Sequence, residues 1–406
     1  MKTKAIKAGF AVSALALAVS PTMATDLRID GFASFVAGQV LDQDELDATG
    51  TYNGYDNRVN FQQDSVYAIQ FRGDLKEDLA ITAQVIANGA NNYDAEFAWA
   101  YATYQVSDEL SLKVGRSRIP FFMFSDFLDV GYAYTWVKPP VSVYGDTGNF
   151  KNLDGVNMDY TTEMAGWFSR LSLMGGRSEA PIEVPEIGES DTSVKNMLIG
   201  AWSVNRDWFA MRVSHAQADL TFSAFDEMID LLTQPPSLGG LGIALNTEEI
   251  NQLSVDSDRA SFSGVGFTID HGNWIAAAEY TELEFDDSPI VSDTTSWYVS
   301  LGYRWNKFTY YVVYSEDEDK TNEETTNIVD TKVMPVLASL PPEAAAPING
   351  ALNSLYYVET ESNSYSIGLR YDFHSAAALK TEYYTTDDDI TGMNPSMIRM
   401  SIDLVY

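Results

Sequence analysis

The chain has 406 residues, no cysteine and a formal net charge of −33. That charge excludes a nucleic-acid partner, because a phosphate backbone needs a basic face. Without cysteine there is no disulfide framework, so the fold must hold itself through its own hydrogen bonding.

The first residues read as a secretory signal over 1–24. Lys2, Lys4 and Lys7 form a basic start, Ala8 to Ser20 an apolar core, and Thr22-Met23-Ala24 a small-residue cleavage site. Removing those three lysines takes the charge to −33 − 3 = −36. The mature chain, 25–406, is expected to be one domain. No later segment approaches the run of about 18 apolar residues that a membrane-crossing helix requires.

The dominant periodicity is two. In 65–73, Tyr67, Ile69 and Phe71 alternate with Ala68, Gln70 and Arg72. In 79–87, Leu79, Ile81, Ala83 and Val85 alternate with Thr82 and Gln84. In 95–105, Phe97, Trp99 and Tyr101 are expected on one face. Clear alternation returns at 295–304, 307–316, 362–371 and 396–406. Less regular strands fit at 27–40, 110–116, 152–161, 166–176, 196–204, 207–216, 261–270, 273–284 and 376–386, about sixteen in all.

Connections alternate short and long. Tight links such as Asn205-Arg206, His271-Gly272 and Trp305-Asn306 separate the longer 41–64, 88–94, 117–151, 177–195, 217–260, 285–294, 317–361 and 387–395. This parity is expected of a transmembrane antiparallel β-barrel, all-β, with short turns on one rim and long loops on the other. Tyr and Trp near strand ends, including Trp99, Trp167, Trp274, Trp297, Tyr303, Tyr371, Tyr383 and Tyr406, fit girdles at two membrane interfaces. Residues 222–233 have helical spacing before Pro235-Pro236, and 333–357 are rich in Ala, Leu and Pro. Either stretch could cover the mouth of the barrel or pack on its rim. Acidic runs at 286–287, 316–319 and 387–389 fall in the long loops. They read as solvated faces or as divalent-ion contacts with anionic lipid head groups.

The third long loop, about 117–151, stands out. It carries Phe121, Phe122, Phe124, Phe127, Tyr132, Tyr134, Trp136 and Tyr144, with Asp126, Asp129 and Asp146 among them. So many aromatics are not normally left in water. The loop is therefore expected to fold inward and narrow the lumen. Positions alternate to the apolar ones line that lumen, among them Arg72, Glu96, Lys113, Asp159, Arg170, Arg212, Glu279, Arg304, Arg370, Lys380, Glu382, Arg399 and Asp403. Lys113, Arg116, Arg118, Arg170, Arg212 and Arg399 are expected near the loop, facing Asp126 and Asp129 across a constriction. Arg116 shares the parity of Leu112 and Val114, so it turns inward only if the strand bulges. Arg72, Arg304 and Arg370 are expected at the short-turn rim.

On these residues the chain resembles the Gram-negative general porins. The resemblance rests on the leader, the strand parity, Gly115-Arg116 opening the third long loop, and a terminal alternating strand ending in Tyr406. It implies a passive diffusion channel in the outer membrane for small hydrophilic solutes and ions. It also implies a third loop acting as constriction, Tyr406 as a signal to the barrel-assembly machinery, lipopolysaccharide as a neighbour, and a homotrimer. The second long loop, 88–94, is shorter than a latch onto a neighbouring subunit needs. The aromatic third loop favours, as an alternative, a channel selective for sugars or aromatic acids. A structural or adhesive barrel is the remaining alternative. The net charge suggests mild cation preference. Three His without a nucleophile partner, no metal-ligand spacing and no phosphate-binding loop argue against an enzyme, a metal or a cofactor.

Overall fold

The computed structural model describes residues 26–42, 51–145, 150–184, 188–285, 293–320, 323–356, 359–390 and 392–406. The expected leader at 1–24, the acidic run at 286–287 and Asp146 lie outside these residues.

Sixteen antiparallel strands close into one barrel. They are β1 (Asp26–Val40), β2 (Val66–Lys76), β3 (Leu79–Asn88), β4 (Ala95–Gln105), β5 (Leu110–Arg118), β6 (Asn152–Met164), β7 (Trp167–Val184) and β8 (Gly188–Arg206). The second half is β9 (Phe209–Phe222), β10 (Asp256–His271), β11 (Trp274–Phe285), β12 (Thr294–Trp305), β13 (Phe308–Asp319), β14 (Thr360–His374), β15 (Ala377–Asp388) and β16 (Ser396–Val405). Each strand pairs with its sequence neighbour, and β1 pairs with β16 from Phe32↔Val405 to Val40↔Met397. Closure leaves no strand edge unpaired.

Side-chain burial follows the period of two. On β12, Val299 and Leu301 are 49% and 46% exposed, while Ser296 and Ser300 are 0% and 6%. The outer face is thus apolar and the inner face polar, the inverse of a water-soluble protein. No helix among the described residues is long and apolar enough to cross a membrane.

Two features depart from the pattern read in the sequence, and a third, the helical connections, follows it. Gln84 pairs with Trp99 but Val85 pairs with Phe97, so Ala98 is an extra residue on β4. This bulge puts Phe97 outside and turns Trp99 inward, where its Nε1 donates to Gln70 Oε1 at 3.1 Å. Trp99 therefore belongs to the lumen, not to a girdle. The loop expected at 177–195 is largely strand, since β7 and β8 pair from Phe168↔Asn205 up to Val184↔Gly188. The β9–β10 and β13–β14 connections form helices that pack on each other.

Those helices are α2 (Ser223–Thr233), α3 (Thr247–Asn251), α4 (Glu323–Ile328), a following π-turn Val329–Val333, α5 (Met334–Leu337) and α6 (Pro342–Tyr356). The short α1 (Val141–Gly145) precedes them in the third long loop. Phe225, Met228, Ile229 and Leu232 put one apolar stripe on α2, which stops before Pro235-Pro236. Asn246 and Glu249 form a reciprocal capping box on α3. The stripe packs with Leu253, Val329, Val333, Leu337 and Leu352 into a second core, separate from the lumen. Tyr356 is fully buried there and donates to Leu253 O at 3.1 Å.

Candidate functional site

The third long connection begins where β5 distorts. Gly115 has φ +128°, and a Cβ there would run into Ala100 O, so only glycine fits. The two ends of the connection stay together, with Ile119 N donating to Lys151 O at 3.0 Å. Between them the chain makes short turns at Ser125–Phe127 and Gly131–Ala133, then α1. Few regular backbone bonds form here, so side chains of the wall satisfy this backbone instead.

One set of anchors comes from β9, β11 and β12. Ser214 Oγ donates to Phe121 O at 2.5 Å and Arg212 Nη1 to Phe122 O at 2.6 Å. Glu279 Oε2 accepts from Met123 N at 2.7 Å, and its Oε1 accepts from Tyr298 OH at 2.7 Å and from Tyr144 OH. Trp136 Nε1 donates to Ser300 Oγ at 2.9 Å. Around these bonds Phe121, Phe122, Tyr134, Trp136 and Tyr144 pack with Phe262, Tyr298, Tyr311 and Val313 of the wall.

A second set comes from β14 and β15. Lys380 Nζ donates to Gly131 O and Trp136 O, both at 2.6 Å, and pairs with Asp403 at 3.1 Å. Arg370 Nη1 donates to Tyr132 O at 2.8 Å and Tyr134 O at 2.7 Å, with its guanidinium over the Tyr132 ring. Tyr132 OH reaches Ser375 O in the short turn after β14. Arg370, expected away from the loop at the short-turn rim, thus meets it because Tyr132 extends that far. Gly131 lies close against the wall, since a Cβ there would press on Asp403 Oδ1 and Ser34 Oγ. Lys138 pairs with Asp64 at 2.9 Å.

Space remains on the β4–β9 side. A cavity of about 130 Å³ lies between the segment and the wall. Lys113, Arg118, Arg170 and Arg212 line it, with Asp126, Trp99, Tyr101, Pro120, Asn157 and Ser172. The charges are interlocked. Arg170 Nε and Nη2 both reach Asp159 at 3.0 Å, Lys113 Nζ reaches it at 2.8 Å, and Ser172 Oγ donates to it at 2.5 Å. Arg212 Nη2 pairs with Asp126 at 2.5 Å. Arg118 pairs with Asp129, and Lys151 stands 3.9 Å from the same carboxylate. Burial pushes the Asp126 and Asp129 carboxyls up, but Arg212 and Arg118 outweigh it and hold both below the usual carboxylate range.

Of the residues expected at the constriction, Lys113, Arg118, Asp126, Arg170 and Arg212 line this cavity, with Asp129 tied to Arg118. Arg116 does not. It keeps the outward parity of Val114 and makes a two-pronged pair with Asp154 at 2.9 and 2.8 Å. The strand distorts at Gly115 but does not shift register, as Arg116↔Asp154 shows. Arg399 is inward but on another wall, bonded to Glu382 at 2.5 Å and over the Tyr384 ring. Phe124 and Phe127 pack edge-on against each other, and Phe124 also meets Trp136. Tyr406 is 71% exposed and exchanges backbone bonds with Gly31 at 3.2 and 3.0 Å. Parity had marked Glu279, Lys380 and Asp403 as inward; nothing in the chain linked them to the loop. The alternation over 295–304 places Ser300 on the inner face but does not link it to the loop, and Ser214 carries no signal.

A closed barrel of sixteen antiparallel strands, apolar outside and polar inside, is the architecture of the Gram-negative outer-membrane porins. No family model and no curated protein matches the chain. Among solved structures, the chain resembles the anion-selective porin from Comamonas acidovorans at TM-score 0.57 and 11% identity, over 94% of this chain and 100% of that one. It also resembles a loop L8 deletion mutant of OmpT, an outer membrane protein of Vibrio cholerae, at TM-score 0.54 and 11% identity, over 94% and 100%. The outer membrane channel DcaP of Acinetobacter baumannii aligns at TM-score 0.53 and 11% identity, over 94% and 97%. At these identities the likeness is one of fold.

Proposed function

We propose that the protein is a passive diffusion channel in the outer membrane of a Gram-negative bacterium, without enzymatic activity. Small hydrophilic solutes and ions would cross through the space that the third long loop leaves open. One observation carries this reading: a charge-lined cavity of about 130 Å³ lies between the loop and the β4–β9 wall, inside a wall whose outer face is apolar. The loop's bonds to inward positions on β9, β11, β12, β14 and β15 support its role as the constriction. A homotrimer is part of the proposal, since OmpT of Vibrio cholerae, a neighbour in fold, is described in a trimer form. The leader at 1–24, Tyr406 as an assembly signal and lipopolysaccharide as a neighbour complete it.

For selectivity, two fields compete. The net charge of −33 favours cations at the mouths. Exposed charge is screened beyond about 8 Å in physiological salt. The cavity itself is lined by four basic side chains and one acidic one. A narrow, poorly screened lining dominates selection there. The mild cation preference suggested by composition therefore gives way, in this reading, to an anion preference set by the lining.

Planar-bilayer recording of the full-length protein tests both parts. We expect steady single-channel conductance and a reversal potential of anionic sign in a potassium chloride gradient. A silent bilayer, with correctly folded protein inserted, sinks the channel reading. A reversal potential of cationic sign sinks the assignment of selectivity to the lining.

A further inference from the structure

The first long loop, described over 51–64, reaches inward as the third one does. Asn53 and Gly54 have φ +51° and +76°, the left-handed pair that a two-residue hairpin turn requires. Tyr52 and Tyr55 exchange backbone bonds across that turn at 2.8 and 3.0 Å. Both rings turn to the wall formed by β1, β15 and β16. Tyr55 is fully buried with Val40, Tyr384 and Met397, and Tyr52 stacks on Tyr384 at 6.4 Å between centroids. Gly38 of β1 makes the room, since a Cβ there would strike the Tyr55 ring. Gly38 and Asn60 also exchange backbone bonds, each at 2.9 Å, so the loop is laced to β1.

The end of this loop meets the third loop. Tyr55 OH donates to Asp64 Oδ2 at 2.9 Å, and the next residue is tied to β1, since Ser65 Oγ accepts from Val36 N at 2.9 Å. Held from both sides, Asp64 Oδ1 accepts from Lys138 Nζ at 2.9 Å, and Arg399 Nη1 stands 4.0 Å from Oδ2. The Asp64 side chain is 13% exposed, so its attraction to Lys138 is screened less than that of a surface pair. Lys138 stands directly before Pro139-Pro140, at the end of the stretch that Lys380 and Arg370 bind at Gly131, Tyr132, Tyr134 and Trp136. On this side Asp64, Glu382 and Asp403 balance Lys138, Lys380 and Arg399, which leaves no surplus charge to draw an ion. The β4–β9 side differs, with its predominantly basic lining.

We propose that the first long loop is a second element of the constriction and that Asp64 is its positioning residue. Asp64 holds Lys138 and so keeps the third loop closed against the β1–β16 side of the lumen, which directs passage to the β4–β9 side. The proposal rests on the channel reading, since it names what shapes the path. Tyr55 places the carboxylate, and the carboxylate places Lys138, so a contact between two loops sets where the barrel is open.

The test is a double-mutant cycle of Asp64→Asn and Lys138→Met in the full-length protein, read by hydrogen exchange of residues 131–138 and by single-channel recording. We expect each single variant to speed exchange in that stretch about tenfold or more, the scale of one lost charge-assisted hydrogen bond, with β1 and β16 protected as in the parent. Conductance and its noise should rise in the same variants. The double variant should add little to the larger single effect, because all three lose the same contact. Lys138→Met leaves every anchor of the first loop in place, so it reads the contact even where Asp64→Asn loosens its own loop. Unchanged exchange in Lys138→Met, or strictly additive effects in the double variant, overturns the positioning role. Faster exchange with unchanged conductance overturns the closure of the β1–β16 side. A parent that is silent in the bilayer, with the exchange coupling intact, removes the channel reading and leaves the contact between the loops.

Discussion

Lys380 offers the sharpest test of how the loop is held. It is fully buried, and its ammonium binds two loop carbonyls and Asp403, itself buried on β16. Lys380→Met keeps the apolar stem but removes all three interactions. Each charged hydrogen bond contributes about 1.5–3 kcal/mol. Stranding Asp403 as a lone buried carboxylate brings the loss to about 3–5 kcal/mol. The sixteen strand ladders do not involve this ammonium, so the barrel should survive and the cost should fall on docking of Gly131 to Trp136. At about 1.4 kcal/mol per factor of ten, the docked-to-released ratio drops by roughly two to three and a half powers of ten. Single-channel recording should then show higher and noisier conductance. Lys380→Met/Asp403→Leu should recover much of the quiet level, because no unpaired charge remains. If Lys380→Met conducts with unchanged amplitude and noise, these bonds do not hold the loop and the argument fails.

Acid should loosen the same loop from its other side, and only at low pH. Asp126 and Asp129 are held below the ordinary carboxylate range, so their contribution is complete above about pH 4 and is lost as pH falls through their lowered folded values. Conductance at fixed ionic strength should rise below about pH 4, and Asp126→Asn/Asp129→Asn should abolish that acid step. An acid step unchanged in that variant would contradict the pairing. In the helical core, Leu352→Ala should cost about 2–5 kcal/mol locally. Hydrogen exchange should accelerate in α2 as well as in α6, with channel conductance untouched; protection of α2 equal to the parent would disprove the shared core.

Much of this molecule could be read from alternation alone. Strands such as β12 and β16 place apolar and small or polar side chains on opposite faces, and the lipid–lumen contrast enforces that pattern residue by residue. Reading failed where this contrast stops acting. Between Arg177 and Lys195 apolar alternation is confined to Ala180, Ile182 and Val184, with Pro181 and Pro185 among them, so the stretch reads as a loop, yet the backbone still pairs. The bulge at Ala98 reverses Trp99 without any local sign, since the extra residue is defined only by what β3 presents opposite. Parity gave the correct outward side for Arg116, and the pull toward a constriction role was the misleading element. Lys380 and Glu279 were legible as inward charges. Their partners are backbone groups more than a hundred residues away, which no spacing reveals.

The shared core of α2, α3 and α6 couples two surface connections that elsewhere in barrels vary freely. Lys332 of one connection pairs with Glu249 of the other, and Tyr356 is bonded to Leu253 across the same boundary. Insertions in ordinary surface loops are absorbed by solvent. Here a length change near Phe225 would displace side chains whose packing partners sit beyond Glu323, so the two stretches must diversify together. A graft of either one alone into another barrel would carry half a hydrophobic interior into water.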